Sequence, residues 1–243
     1  MNKHILKTIA VSLLLTLATQ GHVLAQTLPV PSNLITLNSG EGEQLLLDSK
    51  TREDYWPLSL QFVSQKNGAY CGVASSVMVL NALAVPAPSA PELGPYKTFT
   101  QENFFNEQNQ KVLPAEVVSR QGMTLDQLSK LLEAYPVKTD IHHGDQSSLE
   151  EFRKMAANVL KEPNNFVLVN YLRKAIGQET GGHISPLAAY SEKTDRFLIL
   201  DVSRYKYPPV WVKTAELWKS MNTMDTDSGK TRGFIVVSAL KPT

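Results

Sequence analysis

Gln65-Lys66-Asn67-Gly68-Ala69-Tyr70-Cys71-Gly72-Val73-Ala74-Ser75-Ser76 holds the only cysteine of the 243-residue chain. A turn-forming Asn67-Gly68 leads straight into apolar residues at helical spacing. Val73, Val77 and Leu80, flanked by Ala74 and Met78, recur at i, i+4 and i+7. The spacing predicts a buried helix with Cys71 in its first turn. There the positive end of the helix dipole favours the thiolate, which is the reactive form. A lone buried cysteine is also commonly a small packing residue, so the choice between nucleophile and filler falls to the rest of the chain.

The first residues carry Lys3 and Lys7 ahead of an apolar run too short to span a bilayer, and Val23-Leu24-Ala25 offers small residues for cleavage before Gln26. Residues 1–25 therefore read as a removed secretory signal, and residues 26–243 as one catalytic domain. The expected location is the bacterial periplasm or the exterior, with no membrane association after cleavage. Loss of the two lysines leaves 22 basic residues against 23 acidic ones. So balanced a surface gives no reason to expect nucleic acid or an anionic membrane as partner. Exported proteins normally use cysteines in pairs, and a solitary thiol in an oxidising compartment points toward chemistry.

Residues 26 to about 64 mix short apolar stretches with polar turns and read as an arm or short strands. The proline-rich run Ala84-Val85-Pro86-Ala87-Pro88 and onward to Pro95 is expected to line or cover a groove. Thr124 with Gln127, and Ser148 with Glu151, have capping-box spacing and open two helices, to about Tyr135 and Leu160. After Phe166 the period changes. Phe166–Leu172, His183–Tyr190, Phe197–Val202 and Gly233–Val237 are short apolar or alternating runs divided by turn residues, which predicts an antiparallel sheet. Helices first and strands later give an α+β fold of two lobes with a cleft between them.

A thiol nucleophile needs a base, and the base needs a third group to fix its tautomer. His142 and His143 stand in Asp140-Ile141-His142-His143-Gly144-Asp145 and read as a solvated turn, without metal-ligand spacing. His183 follows Gly181-Gly182 and opens an apolar strand, while Asp201 lies in the next apolar run. A buried charge needs a partner. In a hairpin turning near Glu192, His183 and Asp201 become cross-strand neighbours, within hydrogen-bond reach. Gln65, six residues before Cys71, supplies an amide donor for an oxyanion, helped by the Cys71 N–H. The order Gln, Cys, His, Asp is similar to that of papain-like thiol enzymes, with Cys71 on the helical lobe and His183 and Asp201 on the sheet lobe. The Cys-Gly-Ser-Cys-Trp signature of ordinary papain-type peptidases is not present.

Three longer stretches go further: Gln65 to Leu83 around the cysteine, Gly181-Gly182-His183-Ile184-Ser185-Pro186-Leu187-Ala188-Ala189-Tyr190, and Leu198 to Val212 with Asp201-Val202-Ser203-Arg204-Tyr205-Lys206-Tyr207-Pro208-Pro209. With Ser228 to Phe234 they make the chain resemble phytochelatin synthases, specifically the short bacterial homologues. The resemblance implies transfer of γ-Glu-Cys from one glutathione to another with release of glycine, through a Cys-His-Asp triad at Cys71, His183 and Asp201. Many members carry a cysteine-rich C-terminal region. This chain has no second cysteine, so that region is expected to be missing and the thioester to pass mainly to water. The resemblance further implies glutathione and its metal thiolates as partners, with cadmium or zinc entering as substrate complexes, no cofactor needed for catalysis, and no metal-ligating residues. A homodimer is the assembly entertained. For the γ-glutamyl head, a cation should face the α-carboxylate and an anion the α-ammonium. Arg232, Arg173 and Asp225 are the candidates, with Asn170 and Gly182 beside them and Arg204 assigned to an acceptor site. The alternatives are a peptidase of other specificity, such as a double-glycine leader peptidase, and a thiol or metal binder without catalysis.

Overall fold

The computed structural model describes residues 27–240. The expected signal segment, 1–25, lies outside them. The described residues form eight α-helices: α1 (Gly40–Asp48), α2 (Tyr55–Leu60), α3 (Cys71–Ala82), α4 (Glu107–Val112), α5 (Ala115–Gln121), α6 (Leu125–Leu132), α7 (Leu149–Val159) and α8 (Thr214–Met221). Nine strands accompany them: β1 (Ile35–Thr36), β2 (Val137–His143), β3 (Asn165–Leu172), β4 (Gly182–Ser191), β5 (Arg196–Ile199), β6 (Val210–Lys213), β7 (Met224–Asp225), β8 (Lys230–Thr231) and β9 (Gly233–Ala239). Seven make one sheet in the order β1-β6-β5-β4-β3-β9-β2, every neighbouring pair antiparallel. The α+β expectation therefore holds.

Alternation along the central strands divides the core in two. Phe166 and Leu168 of β3 join α3 and α6 on one face, whereas Val167, Val169 and Tyr171 meet Phe152 of α7 and Leu217 and Met221 of α8 on the other. Helix α3 is buried all round, from Cys71 through Leu80. Its hydroxyls are absorbed internally, Ser76 donating to the Gly72 carbonyl at 2.8 Å and Ser75 to the Ile184 carbonyl of β4 at 3.1 Å. The second bond ties the cysteine helix to the strand that carries His183.

Both capping boxes form, Thr124 with Gln127 at α6 and Ser148 with Glu151 at α7. The N-terminal stretch differs from the arm expected: it folds into α1 and α2. Ser39 caps α1, its Oγ accepting from the Gly42 N–H at 3.0 Å, but two glycines in the first turn hide the helical pattern. His142 and His143 belong to β2, not to a solvated turn. His142 stacks on Phe234 and His143 is buried, its Nδ1 2.6 Å from the Thr231 carbonyl. As an edge strand, β2 alternates with polar and charged residues that mimic a loop. The proline-rich run does border a cavity, with Phe99, Phe105 and Tyr135, but Cys71 is not among its lining residues. Among the described residues no helix is long and apolar enough to cross a membrane.

Candidate active site

Cys71 is the first residue of α3, and its thiol meets the imidazole of His183 at the start of β4. Nε2 of that ring lies 2.9 Å from Asp201 Oδ1 and 2.9 Å from the Ser185 hydroxyl. All three members are buried. Burial alone pushes the Cys71 thiol up, but the hydrogen bond and charge of His183, with backbone contacts at Ile184 and Gly72, outweigh it and hold the thiol below its ordinary value. Burial and the Arg173 charge work against an imidazolium at His183, yet the Asp201 carboxylate beside it, with the hydrogen bond to Cys71, wins and the histidine is raised. Asp201 itself is held well below the carboxylate range against its burial by His183 and Arg173. Together these shifts favour a thiolate–imidazolium pair.

Asp201 arrives by a different route from the cross-strand pairing expected. The hairpin does turn at 192–195, but Tyr190 pairs with Phe197, the register slips at a bulge between Leu187 and Ala189, and β5 ends at Ile199. His183 stands across from Tyr171 of β3 instead. Asp201 lies beyond the strand end, where its Oδ1 accepts from the Ser203 N–H at 2.8 Å and turns the carboxylate toward the imidazole. The stretch stays against β4 beyond the strand end because the Leu200 N–H donates to the Pro186 carbonyl at 3.0 Å and the Val202 N–H to the Ser185 hydroxyl at 3.3 Å.

A cleft of about 400 Å³ opens at Cys71. Its sheet-side wall comprises Asn170, Gly182, His183 and Ile184, its far rim Asp225, Asp227 and Arg232, and its helical wall residues 119–123 at the end of α5. Four of the substrate-side candidates, Asn170, Gly182, Asp225 and Arg232, are thus brought together. Arg232 donates from Nη1 to the Met224 carbonyl at 2.5 Å and the Thr223 hydroxyl at 3.3 Å, and its Nη2 is 3.6 Å from Asp225 Oδ1. Its Nε is buried without a partner. A Cβ on Gly182 would sit 3.2 Å from both Nε and Nη2, so a larger residue there would crowd the edge of the guanidinium that has donors to spare.

Three candidates stand elsewhere. Arg173 is not a wall of the cleft: its guanidinium is committed to Asp201, at 2.7 and 2.9 Å, because a carboxylate buried this deeply needs a counter-ion. Arg204 lies over the Phe62 ring, 4.6 Å from its centroid, outside the cleft. Gln65 is buried and its Nε2 donates to the Asn67 carbonyl at 2.6 Å, inside the loop that delivers Cys71, with the Gln65 N–H bound to the Val202 carbonyl at 2.8 Å. It braces that loop against the Asp201 segment. Sequence reasoning missed Ser185 and the 119–123 wall. Ser185 carries a signal, two residues after His183 on one strand; the wall is a helix terminus that only chain packing brings to Cys71.

A family model described as phytochelatin synthase matches residues 25–234. The chain belongs to the phytochelatin synthase family. Glutathione gamma-glutamylcysteinyltransferase 1 of Lotus japonicus is 35% identical over 87% of this chain and 41% of its own length. Its Arabidopsis thaliana namesake is 33% identical over 88% and 43%, and the Schizosaccharomyces pombe enzyme 29% over 87% and 50%. The chain thus spans half or less of the phytochelatin synthase relatives it matches. Xylellain, a cysteine protease from Xylella fastidiosa, aligns with a TM-score of 0.39 at 10% identity, over 82% of this chain and 90% of that one.

Proposed function

We propose that this chain cleaves the Cys–Gly amide of glutathione at Cys71 and passes the γ-Glu-Cys acyl group to water or to a second glutathione. The observation that carries the reading is the Arg232 guanidinium, with an unpartnered buried Nε, in the same cleft as a cysteine paired with histidine and aspartate. Its free edge is a carboxylate fork, and Asp225 at 3.6 Å is the anion for the α-ammonium beside it.

The thiolate attacks the amide carbon, forming the C–S bond. The imidazolium of His183 gives its proton to the glycine nitrogen as the C–N bond breaks, leaving a γ-Glu-Cys thioester. His183 then takes a proton from water as its oxygen attacks, and the thiolate departs with γ-Glu-Cys as the free acid. With a second glutathione as acceptor, the attacking group is its amine and the product is the longer peptide. Cys71 is the first helical residue, so its N–H lies among those with no intrahelical acceptor and can face the oxyanion. Gln65 joins it only if its amide leaves Asn67. The scheme uses the chain's own side chains and one backbone N–H, and metal enters as a thiolate complex of the tripeptide substrate.

Mass analysis of glutathione incubated with the protein tests this. Glycine loss and a transient γ-Glu-Cys adduct on Cys71 are expected. Unchanged glutathione with cleavage of longer peptides would reassign the site to a peptidase, and no covalent adduct at all would leave a thiol binder.

A further inference from the structure

A guanidinium lies behind the reacting groups. Arg173 is 3% exposed and begins the short helical turn after β3. It donates from Nη1 to Asp201 Oδ2 at 2.7 Å and from Nη2 to Oδ1 at 2.9 Å, a two-point fork. Nη1 also donates to Gln178 Oε1 at 2.5 Å, and the guanidinium carbon lies 5.2 Å from the Tyr207 ring centroid. The Tyr207 hydroxyl is in turn held by the Glu179 N–H at 2.8 Å. The guanidinium is therefore fixed from three sides before any substrate arrives.

Charge makes this more than packing. In their ionised forms Cys71, His183 and Asp201 sum to −1 inside the protein, and Arg173 brings the group to zero. The other charged groups around it largely offset one another in pairs. Arg232 and Asp225 face one another, Arg120 on the helical wall pairs with Glu116, and the Tyr171 hydroxyl on β3 is buried and pushed far up by that burial. Asp227 on the cleft rim is an anion and adds to the excess. Among the described residues the ionic and hydrogen-bonding partners of Asp201 are Arg173, His183 and the Ser203 N–H.

We propose that Arg173 is a positioning residue of the reaction: its fork fixes the Asp201 carboxylate toward His183, and its charge keeps the buried thiolate ionised at lower pH than the triad alone would allow. The inference rests on Cys71 being the nucleophile of the proposed reaction, but its test does not need turnover. Because Cys71 is the only cysteine, the rate of alkylation by iodoacetamide, followed by intact mass, reports one thiol.

In Arg173→Gln the acid limb of that rate should move up by about one pH unit or more, since a nearby opposite charge is lost. Arg173→Lys keeps the charge without the fork, so the limb should stay near wild type while kcat for glycine release falls ~10-fold and KM changes little. A Gln profile superimposable on wild type in a protein with unchanged circular dichroism would overturn the charge role. A Lys variant with wild-type kcat would overturn the fork. Should the Gln variant not fold, Arg173→Lys decides alone: an unshifted limb with reduced kcat upholds the proposal, and any other pattern rejects it. If wild type releases no glycine yet the Gln limb still shifts, the glutathione reading fails and the Arg173 assignment stands.

Discussion

At Cys71, His183 and Asp201 the chemistry depends on which charge state burial permits. The thiol lies below its ordinary value of 9.0 and the imidazole above its ordinary 6.5. The pair is fully ionised between its two macroscopic steps, so kcat/KM for glutathione should be bell-shaped, rising below the thiol's usual range and falling above the imidazole's. A profile with a single limb at the ordinary thiol value would show that the pair is not preformed. Asp201→Asn keeps an acceptor beside Nε2 but removes the charge that sustains the imidazolium, and glycine release should drop by ~10²–10⁴ on the precedent of other triads. Cys71→Ser should abolish it, because a hydroxyl is not ionised by the same imidazole. Cys71 and His183 were legible as residues: one begins an apolar helical run, the other an apolar strand. Arg173 was misread, because in sequence a cation after a strand looks the same whether it meets a ligand or a buried carboxylate.

Helix α6 shows how far local signals reach. Its capping box satisfies two backbone donors reciprocally, the Gln127 N–H bonding Thr124 Oγ1 at 3.3 Å and Gln127 Oε1 accepting from the Thr124 N–H at 2.9 Å. Thr124→Ala should cost ~1 kcal/mol of stability in urea denaturation at unchanged m-value. No loss would mean that tertiary packing of Leu125, Leu128, Leu131 and Leu132 fixes the helix without its cap. Strands β3, β4 and β9 were readable for a similarly local reason, a short run dominated by apolar residues between turn signals. By contrast β2 and β6 were not: β2 alternates with charge at a sheet edge, and β6 has only four residues, Val210–Lys213, after a double proline. Elements of that kind are strands because a neighbour offers a ladder, and a neighbour is invisible in one dimension.

Over the whole molecule, stability and pH are linked through Asp54, at the entry to α2. It is buried, its Oδ2 has no hydrogen-bond partner, and burial, aided by the charge of Glu53, pushes its carboxyl up to about 8. The native state thus holds a proton that the unfolded chain has released above its ordinary value of 3.8. Folding stability therefore falls as pH rises between those values, by ~1.4 kcal/mol per pH unit for one such group. Asp54→Asn removes the titration, so its stability relative to wild type should be greater at pH 8 than at pH 5. An equal difference at both pH values would show that Asp54 is ionised in the folded protein. The sequence by itself determined the α+β class, the cysteine helix, the main strands and the candidate cysteine and histidine, since these depend on apolar period and on caps a few residues apart. Tertiary structure alone decided how Asp201 is held beyond the end of β5, the guanidinium behind it, and which arginine faces the cleft. Those depend on long-range packing, where a buried charge takes whichever counter-ion the fold brings within hydrogen-bond distance.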